Sequence, residues 1–151
     1  MNKHQINLYK SLPEDIAESM KHGLDAYDKA HGIDVNYETF SLVLSNDGGN
    51  LIGVLNAYTA FSEIYVDDLW VDEKYRDKGH GRQLLNNLEE RFKGKGFNNI
   101  NLVTSVFQAP EFYQKCGFTL EFIRENKVNP KLTKYFFIKY FDDANQHQGM
   151  L

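Results

Sequence analysis

The sequence predicts an α+β fold with a mixed, mainly antiparallel central sheet flanked by helices. Three observations carry that expectation. Two strand-like runs, Phe40 to Leu44 and Leu51 to Tyr58, are joined through Asn46-Asp47-Gly48-Gly49-Asn50, a strong hairpin signal. A third strand, Ile64 to Val71, leads through a glycine-spaced turn and a helix to a fourth at Ile100 to Thr104. Such a crossover joins parallel neighbours in the right-handed sense. Two further apolar runs, Phe118 to Ile123 and Tyr135 to Phe141, finish the sheet.

The remaining elements follow in order. A short strand is expected at Gln5 to Tyr9. Pro13, in a first helical turn, opens an amphipathic helix in which Ile16, Met20, Leu24 and Tyr27 share a face. After the third strand, Leu84, Leu85, Leu88 and Phe92 recur at helical spacing from about Gly81 to Lys93, and Gly94 and Gly96 mark the stop. A short helix is expected over Gln108 to Lys115. Asn129-Pro130 falls in the loop between the last two strands, where proline forbids continued pairing. No linker, repeat or low-complexity stretch interrupts this order, so residues 1–141 read as one domain and 142–151 as a polar tail.

A chain of 151 residues can bury a core without metal or disulfide support. The single cysteine, Cys116, excludes an internal disulfide framework and leaves a thiolate metal site unsupported. His4, His22, His31 and His147 show no ligand spacing, so no metal is expected. Met1 to Lys10 lacks the apolar core of a signal peptide, and no run approaches a membrane span; a cytoplasmic protein with no membrane partner is expected. A net charge of −4 argues against a nucleic-acid partner. The aromatic last strand either closes the core or supplies a homodimer interface.

Charge is unevenly distributed. Phe61 to Glu73 holds five acids and no lysine or arginine, whereas Lys74 to Lys95 holds seven bases against three acids. An acidic strand beside a basic loop suits one cationic and one anionic ligand.

The basic loop, Arg76-Asp77-Lys78-Gly79-His80-Gly81, lies between a strand and a helix N-terminus. Free backbone N–H groups and the positive end of the helix dipole converge there, and a pyrophosphate is the natural guest. Glycines let the backbone approach it without a Cβ in the way. A dinucleotide fingerprint would need a third glycine where Leu84 stands, and a nucleoside-triphosphate loop would need Gly-Lys-Ser/Thr, which is missing. A plain helix-capping turn is the bland alternative.

The hexapeptide fits the Arg/Gln-x-x-Gly-x-Gly/Ala signature of the GNAT superfamily of N-acetyltransferases. A second match lies downstream: Ala109-Pro110-Glu111-Phe112-Tyr113-Gln114-Lys115-Cys116-Gly117-Phe118 is similar to that family's helix carrying a tyrosine before a Gly-Phe strand start. Arg76 and Tyr113 are 37 residues apart, with a helix and a strand between them. The chain thus resembles a small bacterial-type member over nearly its whole length.

The resemblance implies a GNAT-like fold whose parallel strand pair splays apart, with acetyl-coenzyme A (acetyl-CoA) entering between the two strands. It implies cofactor contacts from Leu69, Trp70 and Val71 on the strand and from Arg76, Asp77, Lys78, Gly79, His80, Gly81 and Arg82 in the loop. Val106 stands where members often carry an asparagine, so that hydrogen bonding either falls to other groups such as Thr104, Ser105 or Gln108 or is absent. His80 reads as a solvent-facing side chain whose backbone amide matters more than its imidazole. Trp70, Phe107 and Phe112 read as core or channel walls.

Acetyl transfer to an amine needs a proton acceptor for the ammonium and a proton for the leaving thiolate. Unbroken alternation places Glu63, Tyr65, Asp67 and Leu69 on one face of the strand, and Asp68 and Trp70 on the other. Family bases match positions Tyr65 and Asp67, which makes Asp67 the first choice, with Glu63 in reserve; Tyr65 stays neutral and lines the acceptor site. Asp68 either binds the substrate ammonium or lies exposed. Tyr113 matches the family's general acid, a buried core tyrosine being the competing reading. Cys116 is a small buried hydrophobe rather than a covalent acetyl carrier. The expected function is direct transfer, in a ternary complex, from acetyl-CoA to a primary amine of a small cationic molecule. The alternatives are a non-catalytic acyl-CoA sensor and a protein lysine or N-terminal acetyltransferase.

Overall fold

The computed structural model describes residues 3–142; the expected tail from 143 onward lies outside them. The described chain forms two compact units, one ending at Val35 and one beginning at Asn36.

In the first unit, α1 (Glu14–Ala30) follows Pro13, which occupies the N-cap rather than the first turn. Glu14 and Asp15 at its start and Lys29 at its end suit the helix dipole. Gly32, at φ 72°, ends it, with the N–H groups of His31 and Ile33 returning to the Asp28 carbonyl. The strand expected at Gln5 to Tyr9 is absent, and residues 3–9 are irregular. Ile6 and Leu8 supply the alternating pattern, but a strand exists only through ladder bonds, and none forms there.

The second unit is a six-stranded sheet of order β1-β2-β3-β4-β6-β5. Its strands are β1 (Glu38–Ser45), β2 (Leu51–Ala60), β3 (Glu63–Val71), β4 (Asn99–Ser105), β5 (Thr119–Arg124) and β6 (Lys134–Tyr140), with helices α2 (His80–Phe92) and α3 (Glu111–Lys115). All pairings are antiparallel except β3 with β4. One sheet face meets the apolar stripe of α2. Leu84, Leu85 and Leu88 of the helix pack with Leu55, Ala57, Ile64, Val66, Ile100, Leu102 and Phe137. Burying each such leucine stabilises the fold by roughly 1.5–3 kcal/mol.

Two departures from regularity shape the site. The parallel ladder runs only from Glu63↔Asn99 to Val66↔Leu102, although β3 continues to Val71 and β4 to Ser105. Beyond Val66 the strands part, as the resemblance implied. At that same place β2 and β3 slip register: Ala57 opposes Val66 but Asn56 opposes Asp68, leaving Asp67 as the extra residue of a β-bulge. Residues directly opposite each other share a face. Ile64, Val66 and Leu69 therefore lie with Thr59, Ala57 and Leu55 on the core side, while Tyr65, Asp68 and Trp70 lie with Tyr58, Asn56 and Val54 on the other.

That corrects the expected alternation. Asp68 shares the face of Tyr65 and Leu69 does not, because one inserted residue reverses the phase of everything after the bulge. The helix expected over Gln108 to Lys115 is also interrupted. A 3-10 turn (Val106–Gln108) ends at Ala109, a non-glycine residue at φ 58°, and α3 starts afresh after Pro110.

Candidate active site

A cavity of about 510 Å³ lies where β3 has left β4. Leu69 and Val71 line it from β3, Tyr75 to Gly81 from the loop and first turn of α2 (Lys78 excepted), and Gln108, Ala109, Phe112 and Tyr113 from the segment around α3.

The loop end is built for an anion. Asp77 (φ 62°) and Gly79 (φ 83°) are both left-handed, so the chain curls sharply into α2. The first helical bond runs from Gln83 N–H to Gly79 O at 3.0 Å, which leaves the N–H groups of His80, Gly81 and Arg82 without backbone acceptors among the described residues. A Cβ built on Gly79 would meet nothing within 4 Å, so the space in front of the turn is open. Arg76 donates from Nε to the Val71 carbonyl at 2.9 Å, pinning its stem to the strand end and leaving the other guanidinium donors available. Free donors, open space and a fixed cation fit a pyrophosphate.

Gly81 serves a different purpose. A Cβ there would sit 3.0 Å from Phe112 Cζ, so the ring packs on bare backbone. The glycine spacing therefore admits α3 as well as any ligand.

At the other end stands Tyr113. Its ring is held by Phe112, Phe118 and Phe137 at centroid distances of 5.1, 6.1 and 5.8 Å. Burial, and to a lesser degree Cys116, pushes its pKa above the ordinary tyrosine value. The hydroxyl has no hydrogen-bond partner among the described residues, and Tyr113 faces the cavity. It is a neutral, half-buried proton donor with no acceptor among the described residues.

The acidic residues separate into two groups. Glu63 is fully engaged: the Tyr65 hydroxyl donates to one carboxylate oxygen, and Asn99 Nδ2 donates to the other at 3.1 Å. Asn101 Nδ2 in turn donates to Asn99 Oδ1 at 2.8 Å. The hydrogen bond to Glu63, helped by burial, pushes Tyr65 up to about 12, so it remains neutral. Asp68 Oδ2 accepts from Asn56 Nδ2 at 3.1 Å, and Asn56 accepts from Ser41 at 2.6 Å. Asp67, on the bulge, is exposed and has no such partner among the described residues. Its charge nevertheless reaches Tyr58, whose pKa is raised first by burial and then by Asp67. Tyr58 stacks on Tyr65 at 4.9 Å.

Several expected cofactor contacts have other geometry. Trp70 lies on the sheet face opposite Leu69 and does not line the cavity. Thr104 is buried and donates to Gln108 Oε1 at 3.4 Å, which also accepts from Ser105 N–H at 2.8 Å. Lys78 and Arg82 are not lining residues; Arg82 Nη2 donates instead to the Lys115 carbonyl at 2.7 Å. Phe107 is 62% exposed rather than a wall. Sequence reasoning missed Tyr75 and Ala109; adjacency to Arg76 and to Pro110 was the available signal. Cys116 is buried with its thiol pKa raised by that burial, which suits an inert packing residue. No metal-binding cluster and no helix long and apolar enough to cross a membrane occur among the described residues.

Comparison with known proteins gives one consistent result. The profile of the acetyltransferase (GNAT) family matches residues 4–118. Blasticidin-S acetyltransferase of Streptomyces morookaense is 33% identical over 84 residues, 55% of this chain; the match spans 62% of that protein's length. Acetyltransferase Atu2258 of Agrobacterium fabrum is 28% identical over 68% of this chain and 74% of its own. The crystal structure of an acetyltransferase from Bacillus cereus is 30% identical, with a TM-score of 0.73 over 89% of this chain and 98% of its own.

Proposed function

The chain belongs to the acetyltransferase (GNAT) family, and from that membership we propose that it transfers an acetyl group from acetyl-CoA directly to a primary amine of a small cationic acceptor. One observation carries the reading. A cavity runs from helix N–H groups to a tyrosine hydroxyl, neither with a hydrogen-bond partner among the described residues, beside a strand segment that has left its parallel neighbour.

Acetyl-CoA supplies the acyl group as an activated thioester. The N–H groups of His80, Gly81 and Arg82, with the free donors of Arg76, would hold its pyrophosphate. Leu69 to Val71, released from β4, offer backbone groups to its amide-bearing arm. Tyr113 gives its hydroxyl proton to the departing thiolate; its raised pKa keeps that proton in place until sulfur accepts it. Asp67, the β3 acid with no hydrogen-bond partner among the described residues, takes a proton from the ammonium, directly or through a water molecule. Glu63 acts in support, as the acceptor that fixes Tyr65 and Asn99. Asp68 and the tyrosines beside it favour a cation. The name of the Streptomyces relative, an acetyltransferase of an antibiotic, supports a small-molecule acceptor over a protein one.

The test is release of free thiol from acetyl-CoA with a panel of polyamines, amino antibiotics, amino-acid derivatives and lysine peptides. Amine-dependent release with a small cation supports the proposal. Tight acetyl-CoA binding without release from any amine would favour a sensor, and release with peptides alone would favour a protein acceptor. In the same assay Asp67→Asn is expected to lower turnover by roughly 10²-fold at neutral pH. The deficit should shrink as pH approaches the amine's own pKa near ~10, where a base is no longer needed. A loss independent of pH with a lower melting temperature would make Asp67 a structural residue.

A further inference from the structure

We infer that the Arg82 guanidinium acts as a positioning group for Tyr113, tying the first turn of α2 to the end of α3, rather than as a ligand of the cofactor phosphates. The inference rests on the reading of Tyr113 as the proton donor.

α3 spans only Glu111–Lys115. A helix that short is far below the length at which helices hold themselves together in water, so its orientation depends on neighbours. Its last carbonyls lack intrahelical donors. Arg82 supplies one through a charge-assisted bond of 2.7 Å to the Lys115 carbonyl, across 33 residues of sequence. A cation at that end also suits the helix dipole. Immediately before it, Gly81 presents bare backbone to the Phe112 ring. Two consecutive residues of α2 thus grip α3 at positions 112 and 115, on either side of Tyr113. A third contact comes from β6, where Lys139 Nζ lies 3.3 Å from the Cys116 carbonyl and 2.8 Å from Glu89 Oε1 of α2. The first turn of α2 is also the proposed phosphate seat. Arg82 therefore fixes the distance between seat and proton donor, which must match the length of one cofactor molecule.

Small displacements of a catalytic group can cost about 10²-fold in rate. Because Lys139 and Phe112 remain in place, Arg82→Ala is expected to lower kcat by roughly tenfold while the Kd for acetyl-CoA stays within about twofold. Arg82→Lys, which keeps a cationic donor, should recover most of the loss. In a Tyr113→Phe background, Arg82→Ala should have little further effect on kcat, since both changes remove the same contribution.

The four proteins and wild type are compared by steady-state kinetics and by acetyl-CoA binding, with melting temperatures as a check on folding. A raised Kd with unchanged kcat in Arg82→Ala would overturn the inference and return Arg82 to the phosphates. A full tenfold loss persisting in the Tyr113→Phe background would also overturn it, as would no recovery in folded Arg82→Lys. If Tyr113→Phe falls and Arg82→Ala does not, only this inference fails. If Tyr113→Phe itself turns over normally, the reading of Tyr113 fails and the inference with it.

Discussion

Tyr113→Phe is expected to lower kcat by roughly 10- to 1,000-fold with little change in acetyl-CoA affinity, the scale of losing a general acid. Only a hydroxyl is removed, and that hydroxyl has no partner among the described residues, so no buried group is orphaned. The ring contacts with Phe112, Phe118 and Phe137 survive, and the melting temperature should hold. The pH profile adds a second signature. Burial raises the pKa of Tyr113 above 10.0, so the acid form persists throughout the working range. Wild-type activity should therefore not fall through tyrosine ionisation below about pH 10. Normal turnover by Tyr113→Phe would make it a core residue, with the thiolate leaving on solvent's proton.

The second large effect concerns the phosphate seat. At about 100-fold excess over Kd, acetyl-CoA should stabilise the wild type by about 2.7 kcal/mol, or roughly 5–10 °C in Tm. Gly79→Asp is expected to lose most of that shift, because a carboxylate would stand in the open space before the helix N-terminus and repel a pyrophosphate. Gly79→Ala separates charge from backbone strain. Its Cβ meets nothing within 4 Å, while φ 83° strains an alanine at least as much as an aspartate, so it should start from a lower Tm but keep the shift. Gly81 is a poorer probe, since any Cβ there pushes on Phe112. An undiminished shift in folded Gly79→Asp would exclude this loop as the phosphate site.

Much of the fold could be read because its signals are local. The Asn46–Asn50 turn, the leucine spacing of α2 and the glycines around it each declare one element within a few residues, and the crossover rule then orders β3 and β4. The glycine-spaced turn before α2 was legible for the same reason. The acidic strand was not. Alternation assumes an unbroken period of two, and the bulge at Asp67 exists because β2 and β3 slip register, which no property of Asp67 announces. The bond of the Arg82 side chain to the Lys115 carbonyl could not be read, because that partner is distant in sequence and belongs to the backbone. Ala109 hides a left-handed turn that glycine or asparagine would have advertised. At Gln5–Tyr9 the pattern was present and the pairing was not.

The most direct measurement of the central claim is a crystal structure of the protein with coenzyme A. The pyrophosphate should accept hydrogen bonds from the backbone N–H groups at His80 to Arg82, the amide-bearing arm should lie along Leu69 to Val71 where β3 has left β4, and the sulfur should sit within hydrogen-bond reach of the Tyr113 hydroxyl. Coenzyme A bound elsewhere, or bound here with its sulfur remote from Tyr113, would contradict it.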